Sequence, residues 1–250
     1  MYNKKQITIA LKKQLAIDFN CTMEDFDKKE NIITVAKDNP GRRIYTQQKE
    51  FLSMVTLGSN TVISAEESIH KWLKQWSAEK NGIGLFEHNN LIELETELKK
   101  YGKKLWQSHH MFLPKMEIHE PRIDFEPKWF EQEALMKLYG KREFSNALCE
   151  SYMPQRPDIL AVGAMQGDTI MGLAGCSADT ELFWQIGIDV LPLYRGKGIG
   201  TQLVQLLKNE VIRRGAIPFY GTSLANLYSW NIAFHCGFYP AWVEIETMER

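Results

Sequence analysis

The chain has 250 residues, of which 44% are hydrophobic and 24% are charged, and its formal net charge is −1. This composition is ordinary for a globular protein, and a charge so close to zero offers no overall basic field that would attract a nucleic acid. We therefore expect no nucleic-acid partner. No uninterrupted apolar run reaches the length needed to cross a membrane, so we expect no membrane partner either.

The cysteines and the N-terminus indicate the compartment. Four cysteines are scattered without the spacing of a metal site, at Cys21, Cys149, Cys176 and Cys236. The first 19 residues mix lysines with apolar residues and lack the apolar stretch of a signal peptide, which favours an amphipathic surface helix. We therefore expect reduced thiols and a cytoplasmic location. Nothing in the sequence indicates an oligomeric state.

Residues 1–105 are predicted to form a small α/β domain. After the first helix, residues 51–57 are apolar enough for a strand, and residues 61–63 follow a Gly-Ser-Asn turn as its hairpin partner. Helical periodicity then covers residues 91–101.

Residues 106–250 are predicted to form a second domain, which begins with a connecting region. Helices are expected at 126–139 and 142–150. The pair His109-His110 and the pair His119-Glu120 fit no metal-binding pattern, because neighbouring residues on a strand face opposite ways. We expect no metal site.

The strongest pattern begins at Asp158. Strands are predicted at 159–165, 169–176 and 182–190, and the short turns between them indicate an antiparallel meander. A helix with apolar residues at Ile199, Leu203, Leu206, Leu207 and Val211 comes next. A short strand at 217–220, a helix at 226–236 and a strand at 241–247 complete the prediction.

A basic, glycine-rich loop at residues 195–200 joins the third strand to the first helix of this part. The N-terminus of a helix leaves N–H groups unpaired and favours negative charge, and glycine lets the backbone approach a phosphate. The pattern therefore predicts a site for a phosphorylated small molecule, with a turn that binds nothing as the alternative. It is not a P-loop, since Leu191 stands where that motif begins, and Thr201 replaces the third glycine of a dinucleotide-binding loop.

Arg195-x-x-Gly198-x-Gly200 resembles the acetyl-CoA loop of the GNAT acetyltransferase superfamily, whose pattern is Q/R-x-x-G-x-G/A. A second match to the family lies further on, at Asn226, Ser229, Gly237 and Phe238. The resemblance implies an α/β (α+β) fold: a GNAT-like core with the antiparallel meander, the CoA loop and helix, and a C-terminal strand-helix-strand, preceded by the small α/β N-terminal domain.

The resemblance also implies acetyl-CoA as co-substrate and a set of binding residues. The backbone of Ile188 would hold the acetyl carbonyl, which makes it a catalytic candidate, and the backbone of Val190 would hold the pantetheine arm. Asn226 would bind the pantetheine amide, with helix capping alone as the alternative. The complete set implied is Ile188, Val190, Arg195, Gly196, Lys197, Gly198, Ile199, Gly200, Thr201, Asn226 and Ser229.

One position departs from the family. Many members have a tyrosine seven residues after the asparagine, as general acid for the leaving thiolate, and here that position is Ala233. Tyr228 and His235 are catalytic candidates in its place; Tyr220 and Cys236 are further alternatives, as is the absence of any such acid. The general base is unassigned, because Asp189 fits a structural acid better than a base.

The expected function is transfer of an acetyl group from acetyl-CoA to a primary amine of a small molecule or peptide. The alternative is a non-catalytic acyl-CoA-binding sensor or partner domain, which the alanine at 233 motivates. The run from Ser177 to Trp242 resembles the two-part family members related to zwittermicin A resistance acetyltransferases. That resemblance implies that residues 1–105 are an extension that helps to shape the acceptor pocket.

Overall fold

The structure, a computed structural model, describes residues 2–45 and 50–250. The chain divides into two compact units. The N-terminal unit is built from Lys5–Met111 with Ala241–Arg250, and the C-terminal unit is built around Phe112–Pro240.

The helices and strands are as follows. The helices are α1 (Lys4–Asp18), α2 (His70–Ser77), α3 (His88–Leu98), α4 (Glu133–Met136), α5 (Ile199–Arg213) and α6 (Leu227–His235). The strands are β1 (Ile32–Val35), β2 (Leu52–Thr56), β3 (Thr61–Ala65), β4 (Lys103–Pro114), β5 (Glu126–Glu131), β6 (Asp158–Gln166), β7 (Thr169–Ala178), β8 (Phe183–Val190), β9 (Ile217–Ser223) and β10 (Phe238–Glu249). In the described part of the chain, none of these helices is long and apolar enough to cross a membrane.

The N-terminal unit is a small α/β structure. The predicted hairpin is confirmed, because β2 and β3 pair antiparallel from Leu52↔Ala65 to Thr56↔Thr61. Strand β1 runs parallel to β3, and the part of β10 in this unit pairs antiparallel with β2. Helices α2 and α3 bury apolar side chains against these strands, among them Leu73, Trp76, Leu94 and Leu98. We predicted a boundary near residue 105, whereas β4 and β10 each contribute residues to both units.

The C-terminal unit contains the predicted meander with one more strand. Strands β5, β6, β7 and β8 pair antiparallel in chain order, and β9 pairs parallel with β8. Helix α5 packs on this sheet through its apolar stripe, of which Leu203, Leu207 and Val211 are fully buried. The predicted fold class, a mixed α/β structure with this order of elements, is confirmed.

The two helices predicted at 126–139 and 142–150 are wrong. Residues Glu126–Glu131 form β5, followed by one helical turn, and the second segment holds only a 3₁₀ turn at Arg142–Phe144. Strand β5 lies at the edge of the sheet with only Phe130 buried, so its many charged residues face solvent. Pairing with β6 overrides the local preference of a glutamate- and lysine-rich segment.

Candidate functional site

The glycine loop, defined as residues 195–200, begins α5. Gly196 and Gly198 have φ values of +75° and +78°, in the left-handed region that glycine adopts without strain. Gly198 is the N-cap of α5, so the N–H groups of the first helical turn point out of the helix beside the loop. Arg195 and Lys197 are exposed on the same loop and add positive charge. The loop therefore has the features of an anion site.

Strands β8 and β9 are paired over only half of their length. Their parallel ladder runs from Phe183↔Ile217 to Ile186↔Tyr220. Both strands continue beyond this last pair, β8 to Val190 and β9 to Ser223, without a register between them. We call this gap, between the last four residues of β8 and the last three of β9, the β8–β9 opening.

The backbone N–H groups of Ile188 and Val190 face this opening. The N–H of Leu191 donates to the carbonyl of Met171 on β7 at 2.9 Å. Because alternate residues of a strand bond to opposite neighbours, the N–H groups of Ile188 and Val190 point away from β7, toward β9. The carbonyl of Val190 accepts a hydrogen bond from Arg195 Nε at 2.8 Å. The structure thus provides two backbone donors at the edge of a gap, next to the anion site.

Gly200 brings three elements together at this opening. A Cβ at Gly200 would lie 3.2 Å from Ile232 Cδ1 on α6 and 3.4 Å from Val190 Cγ2 on β8. The glycine therefore allows the first turn of α5 to approach both elements closely. Close packing is therefore one reason for a glycine at the last position of the loop pattern, whether or not Gly200 also contacts a ligand.

The start of α6 places two of the predicted residues beside each other. Asn226 is the N-cap, and its side-chain oxygen accepts from the backbone N–H of Ser229 at 3.1 Å. This hydrogen bond supports the helix-capping role of Asn226. Its contact with the pantetheine amide stays a prediction. The Ser229 hydroxyl lies 2.5 Å from the hydroxyl of Tyr220 on β9.

The predicted catalytic candidates lie in different environments. Tyr228 is 87% exposed, and His235 is exposed with Nδ1 2.7 Å from the carbonyl of Asn231. Cys236 is buried, its thiol donates to the carbonyl of Thr201, and burial raises the pKa of that thiol to about 12. Tyr220 is buried, and burial raises the pKa of its phenol to about 12. The structure brings together Tyr220 and Ser229, and leaves Tyr228 and His235 on the solvent side of α6.

Gly187 and Asp189 pack against the segment before β6. A Cβ at Gly187 would lie 1.8 Å from the carbonyl oxygen of Asn146, so only glycine fits there. The Asp189 carboxylate accepts from the backbone N–H groups of Asn146 and Ala147 and from the Asn146 amide, at 2.6 to 2.9 Å. These hydrogen bonds support the interpretation of Asp189 as a structural acid. The ladder of β7 and β8 is regular at Gly187, so no bulge forms there.

A cavity of about 290 Å³ lies beside the glycine loop. Tyr194 and Lys197 of the loop region and Gln202 of α5 are among the residues that line it. The Tyr194 hydroxyl donates to Gln166 Oε1 at 3.1 Å, which fixes the ring at the cavity wall. Neither Tyr194 nor Gln202 is among the residues predicted from the sequence. Their positions could have indicated a role, because Tyr194 is four residues before Gly198 and Gln202 is four residues after it, in the first turn of α5.

Among the described residues, no group of three or more histidine, cysteine, aspartate or glutamate side chains is arranged to hold a metal ion. His109 and His110 are on β4, where burial lowers the pKa of both imidazoles, and His119 pairs at the surface with Glu117.

Solved structures match part of this chain at low sequence identity. A solved structure of a GCN5-related N-acetyltransferase-like protein from Streptococcus suis has a TM-score of 0.49 and 16% identity, covering 65% of this chain and 69% of that chain. A GCN5-related N-acetyltransferase from Sphaerobacter thermophilus has a TM-score of 0.46 and 12% identity, covering 76% and 72%. An acetyltransferase from the GNAT family from Colwellia psychrerythraea has a TM-score of 0.41 and 14% identity, covering 58% of this chain and only 57% of that chain. No curated protein matches the chain.

The family model for the acetyltransferase (GNAT) family matches residues 122–238. The matched segment contains the meander, the glycine loop, α5, the β8–β9 opening and α6. Both family patterns found in the sequence, at Arg195 to Gly200 and at Asn226 to Phe238, fall within it. Residues 122–238 of this chain are therefore similar to the acetyltransferase (GNAT) family.

Proposed function

We propose that this chain transfers an acetyl group from acetyl-CoA to a primary amine of a small molecule or peptide, in the cytoplasm. The single observation that carries the proposal is the β8–β9 opening, with the N–H groups of Ile188 and Val190 directed into it beside the glycine loop. The match to the acetyltransferase (GNAT) family model supports the reaction type, which is acyl transfer from acyl-CoA. Four free cysteines are consistent with a reducing compartment.

In this proposal the glycine loop holds the pyrophosphate of acetyl-CoA. The N–H groups at the start of α5 donate to phosphate oxygens, and Arg195 and Lys197 contribute charge. The cavity lined by Tyr194 and Lys197 takes part of the nucleotide end. Asn226 keeps its capping contact and offers its remaining donors to the pantetheine amide.

The reaction takes place in the β8–β9 opening. The N–H of Val190 binds the pantetheine arm, and the N–H of Ile188 donates to the thioester carbonyl oxygen. When the amine attacks, negative charge develops on that oxygen, and a fixed backbone donor stabilises it more in the transition state than in the ground state. The attacking amine must be neutral, and its proton passes to solvent.

A non-catalytic acyl-CoA sensor is the second candidate. It is favoured by Ala233, which replaces the tyrosine that many members use as general acid and is fully buried. A free-thiol assay with acetyl-CoA and a panel of amines, peptides and aminoglycosides, combined with calorimetry of CoA binding, separates the two. Turnover excludes the sensor. Binding without turnover on the whole panel contradicts the enzyme.

The glycine loop gives a direct test of cofactor binding. We expect Gly198→Asp to weaken CoA binding at least about tenfold, or about 1.4 kcal/mol, because a carboxylate then stands where phosphate binds. The measurement is calorimetric titration with CoA. Arg195→Ala should weaken binding less, since the backbone donors remain.

Gly215→Asp is the matched control for that variant. Gly215 also has positive φ, +86°, with open space around it, and it follows the opposite end of α5. The two variants therefore share the backbone strain and the added charge but differ in place, about 25 Å apart along the helix. Equal affinities of a folded Gly198→Asp protein and of Gly215→Asp would show that the loop does not hold CoA.

We also place the chain among the two-part members related to zwittermicin A resistance acetyltransferases, with residues 1–105 as an accessory domain. The support is the resemblance of the run from Ser177 to Trp242 to these family members. Loss of acceptor turnover in a chain that lacks residues 1–105, with CoA binding retained, is the result that this assignment requires.

A further inference from the structure

A pair of hydroxyl groups, one on the buried Tyr220 and one on the half-buried Ser229, lies where β8 and β9 separate. Tyr220 occupies the last paired position of β9, opposite Ile186. Its hydroxyl is 2.5 Å from Ser229 Oγ, and either atom is able to donate. The Tyr220 ring is 1% exposed, in the core cluster that also contains Phe112 and Phe238. Packing therefore fixes the direction of its hydroxyl toward α6.

The same face of α6 borders the opening. Ser229 and Ile232 are three residues apart and so lie on one face of the helix. Ile232 reaches the neighbourhood of Gly200, where the side chains of Val190 and Ile188 also meet. The hydroxyl pair thus lies along the side of α6 that faces the end of β8, whose N–H groups point into the opening.

Ala233 explains why a strand residue is able to supply this hydroxyl. Ala233 is fully buried and belongs to the same core cluster as Tyr220. A small side chain at 233 takes up less of the volume of that cluster than the tyrosine that the family resemblance implies there, and the cluster holds the aromatic ring of Tyr220 from β9. The other candidates are engaged elsewhere or exposed, since the Cys236 thiol donates to Thr201 and Tyr228 faces solvent.

We propose that the Tyr220 hydroxyl donates a hydrogen bond to the sulfur of CoA as the thiolate leaves, while Ser229 donates to the Tyr220 oxygen. This role rests on the proposed function, and it moves the donor from the helix position that is Ala233 to strand β9.

The proton balance favours a hydrogen bond over full proton transfer. Burial raises the pKa of Tyr220 to about 12, whereas a CoA thiol resembles a cysteine thiol, with a pKa of about 8.5. The phenol therefore keeps its proton. The C–N bond forms, the C–S bond breaks with the electron pair going to sulfur, and the thiolate is held by Tyr220. The proton lost by the attacking nitrogen reaches the thiolate through solvent, which completes amide and thiol.

Tyr220→Phe tests this role through two readouts. A hydrogen bond to a charged group stabilises it enough that we expect kcat to fall about tenfold or more, with the dissociation constant of acetyl-CoA within about twofold. The second readout is the ultraviolet absorbance of the CoA thiolate on the protein, followed against pH. Loss of the donor should raise the pKa of the bound thiol, leaving about tenfold less thiolate at a given pH.

Tyr239→Phe is the matched control. Its hydroxyl is also buried in this unit and has no hydrogen-bond partner in the described residues, so we expect neither readout to change. An unchanged pKa of bound thiol in folded Tyr220→Phe overturns the role of Tyr220, whatever the activity. A wild-type protein without turnover, in which the pKa of bound thiol still depends on Tyr220, contradicts the proposed enzyme but supports the donor. A variant that loses CoA binding together with kcat shows a structural role and overturns the proposal.

Discussion

Gly187→Ala is expected to destabilise the C-terminal unit by about 3 kcal/mol, the upper part of the range for overpacking. The added Cβ would lie 1.8 Å from the carbonyl oxygen and 2.8 Å from the carbonyl carbon of Asn146. Both are backbone atoms, so no side-chain rotation relieves the contact. The displaced segment is also the one whose N–H groups bind Asp189, and those hydrogen bonds would be lost with it.

Urea denaturation of the variant and of Gly163→Ala measures this effect. Gly163 also lies within the antiparallel sheet, on β6, but a Cβ there would meet a side-chain atom, Phe130 Cε2, at 3.1 Å. Because that ring is able to shift, we expect a loss of about 1 kcal/mol or less for the control. Equal losses for the two variants would show that the Asn146 segment does not rest on β8 as the structure has it.

The central part of the fold is readable from the sequence because each local pattern agrees with the final structure. Apolar residues at every second position of residues 182–190 predict β8, and the helical stripe from Ile199 to Val211 predicts α5. The glycines at 196 and 198 mark the left-handed turn between them. Such agreement between local preference and tertiary structure is what makes a motif reliable.

The remaining features depend on contacts between distant segments. Strand β5 has one buried side chain, and only its pairing with β6 makes it a strand. The reason for glycine at 187 is the backbone of Asn146, 41 residues earlier, which no periodicity indicates. The hydroxyl pair of Tyr220 and Ser229 likewise joins a strand to a helix. The signal for it in the sequence was Ala233, which departs from the tyrosine that the family resemblance implies at this position.

Arg43→Met is expected to produce the largest loss of stability, about 3–5 kcal/mol in the N-terminal unit. Arg43 is buried between two buried carboxylates, with Nε 2.6 Å from Asp18 and Nη2 3.1 Å from Glu244. Its guanidinium also lies over the ring of Trp242, whose indole N–H donates to Glu244 at 2.9 Å. Removing the cation leaves two carboxylates out of water without the charge that compensates them, which costs more than the lost contacts alone.

The buried anion, rather than the lost arginine stem, is the source of that loss, and the double variant Arg43→Met with Glu244→Gln separates the two. Neutralising Glu244 should recover a substantial part of the stability, because one uncompensated charge is removed at nearly constant volume. Arg122→Met is the control, since Arg122 and its partner Asp124 are 93% and 67% exposed and such a pair contributes at most about 1 kcal/mol. Urea denaturation with hydrogen exchange of residues 5–18 of α1 and residues 241–249 of β10 reports the N-terminal unit specifically. A double variant no more stable than Arg43→Met would contradict the electrostatic explanation and leave lost packing as the cause.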